Sequence, residues 1–362
     1  MSKRAFHFRL YPPPEQEAIL LRHVETARRL WNDALGQRKD CWEQHRLPTT
    51  LDEQKKELTQ IRHHNSFVGE MYAQCAQDIL LRLDRAFSAF FEGRARYPRF
   101  KKYREHGSFT YPQAYKGNVK LGANQEKLYL SKVGYVPIVV HRDVPGNAVL
   151  NTCTVKREPD GRWYANLLYE VEEPKPGPVP IAKAVGIDSG LTPLLTTYDT
   201  EGRSVEVDAP RFYRKAEKRL KRLQHQFSKT EKGSKNREKA RMRLARQHAK
   251  VKHQRADFAH KVSTGLVRNY DAIFFEDLNV AGMSQNHCLA KSIHDAAWTQ
   301  TIAFTDYKAK RVGKTSDVVP APYTSQDCSF CGTRHPEMRD LSIRIFQCRA
   351  CGNTTGRDKN AS

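Results

Sequence analysis

The chain has 362 residues, 39% of them hydrophobic, and a formal charge of +22 from 62 Lys and Arg against 40 Asp and Glu. The apolar fraction excludes wholesale disorder, and no run approaches the about eighteen apolar residues that a membrane span needs. The length favours two domains, and the charge excess favours an anionic partner, of which nucleic acid is the simplest.

A strand followed by helices opens the chain. Residues 5–10 alternate apolar and polar side chains before three prolines, which predicts one strand. Thr50 and Glu53 have capping-box spacing and predict a helix start. Two further sets of apolar residues recur at steps of three and four, namely Leu20, Val24, Ala27, Trp31, Leu35 and Ile79, Leu83, Ala86, Phe90. Residues 15 to 95 are therefore predicted to be a helical module inserted after the strand.

Short segments rich in β-branched and aromatic residues follow from about residue 117. They cover residues 128–130, 136–140, 149–155 and 163–171, and a Pro-Asp-Gly turn joins the last two. Several short strands at this spacing predict a small barrel or sandwich. We expect residues 5–10 to pair with them, which makes the helices an insertion into one β domain.

Residues 173–180 hold four prolines and are predicted to be an extended linker to a second domain. Asp188 follows directly in an apolar strand, and Glu276 ends a second apolar strand at 272–278. Alone, Asp188 is equally well explained as a strand-end cap. Together with Asp358 near the end of the chain, these acids provide oxygen ligands for a divalent metal such as Mg²⁺ or Mn²⁺.

Four of the eight cysteines form two Cys-x-x-Cys pairs, Cys328/Cys331 and Cys348/Cys351, with sixteen residues between them. This spacing predicts a closed tetrahedral structural zinc site, and a redox pair is the less favoured alternative. The first ten residues lack the apolar stretch of a secretory signal. A reducing, cytoplasmic compartment in a prokaryote is therefore expected for the protein, with its action on nucleoid DNA.

Two basic regions favour phosphate contacts over mere solubility. The first spans residues 211–261, predicted as two helices joined near Gly233, and the second spans residues 94–104, where basic and aromatic residues alternate. The candidate nucleic-acid contacts in the two regions are Lys218, Arg222, Arg237, Arg241, Arg94, Arg96, Tyr97, Arg99, Lys101, Lys102 and Arg104.

Several short segments, in this order, resemble the TnpB family of transposon-encoded RNA-guided DNA endonucleases, which are related to compact type V CRISPR effectors. The resemblance runs nearly end to end and rests on the segments Arg9–Pro12, Arg28–Asn32, Tyr97–Lys101, Gly186–Gly190, Glu276–Leu278, Ala297–Trp298, Tyr323–Cys328 and Arg357–Ala361. It adds Arg28 and Arg357 to the candidate nucleic-acid contacts.

The resemblance implies an α+β fold with five parts. A wedge-type β-barrel would comprise residues 1–12 and 112–172, with a helical recognition lobe at 13–111 inserted in it. After the linker at 173–180, an RNase H-like RuvC nuclease domain would comprise residues 181–320 and 352–362. A zinc ribbon that binds target nucleic acid would interrupt it at 321–351.

The resemblance further implies that Asp188, Glu276 and Asp358 are the catalytic Mg²⁺ or Mn²⁺ ligands. The expected partners are a guide RNA and target double-stranded DNA, with no membrane and with one protomer per guide RNA. The protein would recognise a short motif beside the target while base pairing specifies the sequence.

The chain departs from the family pattern in having only four residues after Asp358. The alternative function is therefore a nuclease-deficient, RNA-guided DNA-binding repressor. A third hypothesis is an unguided RNA-binding or recombination-accessory protein that uses the basic helices and the ribbon alone.

Overall fold

The computed structural model of the protein describes residues 2–103, 107–172, 176–320, 323–340 and 342–362. The chain divides into two compact units, Met1–Pro174 and Lys175–Ser362. The division falls inside the segment predicted as a linker, of which residues 173–175 lie outside the described residues, as does Arg104. Among the described residues, no helix combines the length and the apolar character that crossing a membrane requires.

In the first unit, the described residues form a strand, then four helices and then six strands. These elements are β1 (Ser2–Leu10), α1 (Pro14–His45), α2 (Leu51–His64), α3 (Ser66–Gly69), α4 (Ala73–Phe91), β2 (Gly107–Tyr111), β3 (Val119–Leu121), β4 (Lys127–Leu130), β5 (Gly134–Val139), β6 (Val149–Arg157) and β7 (Trp163–Val171).

The seven strands described in the first unit form one sheet in the order β2-β6-β7-β1-β5-β4-β3. Strand β1 lies antiparallel to β7 over its full length, from Ser2 opposite Val171 to Leu10 opposite Trp163, and its end also pairs with β5. The predicted pairing of the first strand with the later ones is therefore confirmed. The four helices are therefore an insertion between two strands of a single sheet.

The helices of this unit follow their sequence signals closely. The side chain of Thr50 accepts the backbone N–H of Glu53 while the Glu53 carboxylate accepts that of Thr50, so the capping box is formed. In α4 the buried side is centred on Ile79, Leu83 and Phe87. Phe90, which the spacing places in the core, is only partly buried.

The boundary predicted between helical lobe and barrel is wrong by one strand. Residues 107–111, assigned to the lobe, form β2 and pair with β6. Phe109 and Tyr111 on this strand are fully buried. Two large aromatic side chains at alternate positions were the available signal for a half-buried strand.

The described residues of the second unit form a mixed sheet, six helices and a small hairpin. Its elements are β8 (Ala184–Ser189), β9 (Leu195–Asp199), β10 (Ser204–Val207), α5 (Phe212–Ser228), α6 (Lys235–Asn269), β11 (Ala272–Asp277), α7 (Val280–Met283), α8 (Ala290–Ala296), α9 (Trp298–Arg311), β12 (Thr315–Pro320), β13 (Ile345–Gln347), β14 (Thr354–Gly356) and α10 (Arg357–Ala361).

The mixed sheet has the order β10-β9-β8-β11-β12. Strands β8, β9 and β10 are antiparallel neighbours, whereas β11 runs parallel to both β8 and β12. The core of this unit includes Val185, Ile187, Ile273 and Phe275 from the two central strands. Consequently, the two acid-bearing strands predicted from sequence are adjacent at the centre of the sheet.

The hairpin β13–β14 belongs to the cysteine-rich segment and extends to Gly356. The sequence-based boundary at residue 351 therefore cuts through this hairpin. Helix α10, which carries Asp358, begins immediately after it.

Candidate functional site

The register of β8 and β11 brings Asp188 and Glu276 together. Ile187 pairs with Phe275 in this parallel ladder, so the next residue on each strand is the acid. Registered partners on adjacent strands point to the same face of a sheet. Residues that are 88 positions apart in sequence thereby become neighbours.

The carboxyl of Asp188 is affected by both of the other predicted acids. Its pKa is raised to about 7, chiefly by burial and then by the negative charges of Glu276 and Asp358 and a hydrogen bond with Glu276. The backbone N–H of Ser189 opposes this rise. Three carboxylates in such proximity repel one another, and a bound cation is the usual compensation.

Asp358 reaches this position because α10 packs on β8 with almost no intervening space. A Cβ atom on Gly186 would lie 1.6 Å from the carbonyl oxygen of Ser362. Gly186 and Asp188 are two residues apart on one strand and share a face. The absent side chain at Gly186 thus makes room for the helix that brings Asp358 to Asp188.

A neighbouring hydroxyl orients Glu276. Thr324 Oγ1 donates a hydrogen bond to Glu276 Oε1 at 2.8 Å. In the sequence, Thr324 is part of a segment that resembles the family, and no role was predicted for it. A threonine near the cysteine pairs carries no sequence signal that distinguishes it from a turn residue.

The three carboxylates are close but not tightly clustered. Within the described part of the chain, the four cysteines are the only group of three or more His, Cys, Asp and Glu residues whose ligand atoms all lie within 4.8 Å of one another. The oxygen atoms of Asp188, Glu276 and Asp358 are therefore more widely spaced than a single shared ion requires, since Mg²⁺–oxygen distances are about 2.1 Å.

The two Cys-x-x-Cys pairs do come together. The Sγ atoms of Cys328 and Cys351 are 3.8 Å apart, and those of Cys331 and Cys348 are 3.5 Å apart. Four sulfur atoms at about 2.3 Å from a tetrahedral ion would be separated by about 3.8 Å. The cluster is thus compatible with zinc.

The two cysteine turns have the same backbone construction. The N–H of Gly332 donates to the carbonyl of Cys328, and the N–H of Gly352 donates to that of Cys348. Both glycines have φ near +70°, at 72° and 75°, where a side chain is strained. Glycine at these two positions therefore permits the tight turns around the cysteines.

His335 is a contact of the cysteine cluster that sequence analysis missed. It is 5% exposed, and its Nε2 lies 3.3 Å from Cys348 Sγ. Its Nδ1 faces Glu337 Oε1 at 3.4 Å. Because His335 lies outside the Cys-x-x-Cys spacing, only the fold brings it to the sulfur.

The predicted nucleic-acid contacts fall into two groups. Four guanidinium groups already bond within the protein. Arg28 and Arg241 each pair with a glutamate one helical turn away, Arg237 donates to backbone carbonyls at the end of α5, and Arg357 is 7% exposed. The assignment of these four to nucleic acid stays a prediction.

The other predicted contacts have exposed side chains. They are Lys218 and Arg222 on α5, and Arg94, Arg96, Tyr97, Arg99, Lys101 and Lys102 after α4. Arg94 pairs with Glu92, and Lys101 Nζ lies 3.7 Å from the centre of the Trp31 ring. The exposed aromatic rings in this stretch include Phe91 and Tyr103 as well as Tyr97. This surface has both the charges and the rings that single-stranded nucleic acid binds.

A cavity of about 440 Å³ lies between the end of β8 and the start of α5. Leu191 and Ala209 contribute to its apolar wall, while Arg211 and Arg214 contribute guanidinium groups. Asp295, also in its lining, accepts the backbone N–H groups of Tyr213 and Arg214 and thereby fixes the start of α5.

Three family models match the chain. Residues 166–287 match a model described as "Probable transposase", residues 298–362 match "Cas12f1-like, TNB domain", and residues 1–46 match "Helix-turn-helix domain". In the structure, residues 1–46 contain strand β1 and the long helix α1.

Two relatives match nearly the whole chain. A protein of Streptomyces pristinaespiralis named "Putative RNA-guided DNA endonuclease" is 34% identical over 371 residues, covering 99% of this chain and 88% of that relative. The chain belongs to the TnpB family. A second TnpB-family relative, "Putative RNA-guided DNA endonuclease InsQ" of Escherichia coli strain K12, is 31% identical and covers 99% of this chain and 90% of that relative.

Solved structures share the fold at low identity. The structure titled "Cryo-EM structure of the Cas12f1-sgRNA-target DNA complex" has a TM-score of 0.59 and 15% identity, covering 96% of this chain and 82% of the other. "Structure of the mini-RNA-guided endonuclease CRISPR-Cas_phi3" has a TM-score of 0.50 and 10% identity, covering 99% and 91%. The TnpB-family chain therefore has an α+β fold of the kind seen in these nucleases.

Proposed function

We propose that this protein is an RNA-guided DNA endonuclease. It binds a transposon-derived guide RNA, recognises a short motif beside the target and hydrolyses phosphodiesters of guide-complementary double-stranded DNA. The observation on which the proposal depends is that the register of β8 and β11 makes Asp188 and Glu276 neighbours, while the chain end that carries Asp358 packs against Gly186 of β8. The names of the two long relatives support the same activity.

The donor set fits a divalent-metal site. Carboxylate oxygens are the ligands that Mg²⁺ and Mn²⁺ prefer, and mutual repulsion among Asp188, Glu276 and Asp358 favours a cation between them. Asp188, Glu276 and Asp358 would hold the metal, which when bound would activate the attacking water and stabilise the leaving oxygen of the phosphodiester.

The remaining residues of the site hold these acids in place. Thr324 fixes one oxygen of Glu276 by its hydrogen bond, and the missing side chain at Gly186 lets α10 present Asp358. Catalytic ligands need to be held to within about half an ångström. The chain meets this need with strands for two acids and a docked helix for the third.

The fold around the site supports a RuvC-type, RNase H-like nuclease domain. Its sheet places β8 at the centre, with the hairpin β9–β10 on one side and the parallel strands β11 and β12 on the other. The cysteine-rich segment follows β12 and precedes α10, which is the position proposed for an inserted zinc ribbon. A zinc ion held by Cys328, Cys331, Cys348 and Cys351 would be structural.

The exposed basic residues of each unit are proposed to contact nucleic acid. Lys218 and Arg222 project from α5 with few acids to balance them, and Arg96, Arg99 and Lys102 lie among exposed aromatic rings. Phosphate contacts of this kind supply affinity without sequence preference. Base pairing with the guide would supply the specificity, with one protomer per guide RNA.

The alternative of a guided repressor without nuclease activity is less favoured. Such a protein has no need of the acids, yet Asp188, Glu276 and Asp358 are all present and act on one another. The relatives are named as endonucleases.

The proposal is tested with the purified complex of protein and cognate guide in Mg²⁺. We expect the substitution Asp188→Asn to abolish cleavage of guide-complementary DNA while the affinity for that DNA stays within a few-fold of wild type. Asp317→Asn is the matched control, because Asp317 is an exposed acid on β12 of the same sheet. Equal loss of DNA binding and cleavage in Asp188→Asn would show that this acid is structural rather than catalytic.

A further inference from the structure

Asn360 connects the acid-bearing helix α10 to the first cysteine turn. Its side chain is 4% exposed. Its Oδ1 accepts the backbone N–H of Ser329 at 3.0 Å, and its Nδ2 donates to the backbone carbonyl of Asp327 at 2.7 Å. These two partners flank Cys328 on either side. The carboxamide therefore clamps the backbone at a cysteine of the proposed zinc site.

The same helix is tied to the cysteine-rich segment at its start. Arg357 Nη1 donates to the carbonyl of Asp340 at 2.9 Å, and Nη2 reaches Ser325 Oγ at 3.4 Å. Asp358 lies between Arg357 and Asn360 in sequence. The hydrogen bonds of Arg357 and Asn360 thus both connect α10 to the cysteine-rich segment, and Asp358 lies between these two residues.

A helix of five residues cannot hold its own position. Helices this short are unstable alone because nucleation is unfavourable and only about one turn of hydrogen bonds forms. The position of α10 depends on what it touches, namely Gly186 of β8 and the two groups of bonds to the cysteine-rich segment.

The cysteine-rich segment in turn has little core of its own. Its buried cluster consists of Cys328, Met338, Phe346 and Cys348, with Ile343 packed against it. A core of this size does not fix a fold without a metal ion or another crosslink. A metal ion that joins the four sulfur atoms would therefore order the backbone at Asp327 and Ser329, to which Asn360 bonds.

We propose that the cysteine-bound metal positions Asp358, and that Asn360 is the positioning residue that transmits this order. The inference rests on the proposed nuclease function, because it assigns Asp358 to the divalent-metal site. It gives the ribbon a second role besides binding target nucleic acid: the ribbon fixes the third carboxylate of the nuclease site. Loss of the Asn360 contacts leaves Asp188 and Glu276 in place and releases only Asp358.

The test compares Asn360→Ala with wild type and with Asn353→Ala, in full-length protein bound to its guide. Asn353 is a ribbon asparagine that bonds to Cys348 through its backbone carbonyl, a bond that alanine keeps. Three quantities are measured: zinc content per chain, Mn²⁺ affinity by electron paramagnetic resonance, and single-turnover cleavage over a range of Mg²⁺ concentrations.

We expect Asn360→Ala to keep one zinc per chain and wild-type target affinity. Mn²⁺ affinity should fall about 10–100-fold, as for other partners that orient metal ligands. Cleavage should fall at low Mg²⁺ and recover in part at high Mg²⁺, and Asn353→Ala should match wild type. The variant Asn360→Asp, which keeps the acceptor for Ser329 but loses the donor to Asp327, should lie between.

Wild-type Mn²⁺ affinity in Asn360→Ala would overturn the inference. So would loss of zinc and target affinity in parallel with Mn²⁺ affinity, because Asn360 would then merely support the ribbon fold. Failure of the wild-type complex to cut DNA would contradict the proposed function. In that case the Mn²⁺ affinity of Asn360→Ala, compared with wild type, would still test whether Asn360 positions Asp358.

Discussion

Gly186 of β8 lies against the backbone of Ser362, so closely that a Cβ atom on Gly186 would be 1.6 Å from the Ser362 carbonyl oxygen. This contact joins the central strand of the sheet to the helix that carries Asp358. A glycine two residues before Asp188 is thus part of the geometry of the site, although it bears no functional group.

Gly186→Ala is expected to displace α10 and separate Asp358 from Asp188. A Cβ so close to backbone atoms forces a shift, and a misplacement of about 1 Å in a catalytic group reduces rates about 100-fold. Single-turnover cleavage should fall by this factor, with target DNA binding unchanged. Gly265→Ala, on α6, should cleave as wild type does, because apart from the adjacent backbone of its own helix no atom lies within 4 Å of the added Cβ. Full activity of Gly186→Ala would refute this role of the contact.

Thr324→Val is expected to reduce cleavage about 10–100-fold, because it removes the hydroxyl that donates to Glu276 Oε1. The control is Thr324→Ser, which keeps a hydroxyl at the same position and should retain most of the activity. Cleavage rates at saturating guide and target are the measurement. Equal rates for the valine and serine variants would argue that Glu276 is oriented by other groups.

Lys218→Gln and Arg222→Gln are expected to weaken RNA binding with a reduced dependence on salt. Each residue lost from the phosphate surface should lower the slope of log affinity against log salt by about 1. Lys261→Gln should leave the slope unchanged, because Lys261 already pairs with Asp257 on α6 at 2.7 Å. An unchanged slope in the double α5 variant would remove this face of α5 from the binding surface.

Acid is expected to destabilise the first unit through His23. Burial lowers the pKa of this imidazole from 6.5 to about 4, so the unfolded chain binds the proton more tightly than the folded one. With respect to His23, the free energy of unfolding is therefore highest above pH 6.5. It falls by roughly 3 kcal/mol as the pH drops from 6.5 to about 4.

Urea unfolding of the full chain, followed by tryptophan fluorescence, measures this effect, since Trp31, Trp42 and Trp163 lie in the first unit. His23→Leu should flatten the dependence of the urea midpoint on pH in this window. His63→Gln, at an exposed position on α2, should not. If the urea midpoint of His23→Leu still falls with pH in this window, other groups cause the effect.

Sequence patterns predicted the helices and strands well where the local signal is strong. The capping box at Thr50, the long strands β6 and β7, and the helices on either side of Gly233 carry strong local signals, and the structure has each of them. The strand β2 was missed although Phe109 and Tyr111 alternate in it, because it has only five residues. The pairing of β1 with β7 depends on residues about 160 positions apart, which local patterns do not encode.

The sequence predicted the acids and cysteines of the candidate site but not the residues that hold them in place. Asp188 and Glu276 end apolar strands, and the cysteines have a diagnostic spacing, so each is visible in sequence. His335, Thr324 and Asn360 are polar residues in irregular segments, and only the fold brings them to Cys348, Glu276 and Ser329 respectively. Arg357, a candidate nucleic-acid contact from the family resemblance, has its guanidinium group buried against carbonyl and hydroxyl oxygens, a setting that the sequence does not indicate.

The most direct measurement is single-turnover cleavage by the wild-type protein bound to its guide. A guide-complementary duplex and a scrambled duplex, both carrying the adjacent motif, are incubated with Mg²⁺ or with excess chelator. The account predicts product only from the complementary duplex and only with Mg²⁺. Tight binding of the complementary duplex with no product at long times would contradict the nuclease claim and favour the guided repressor.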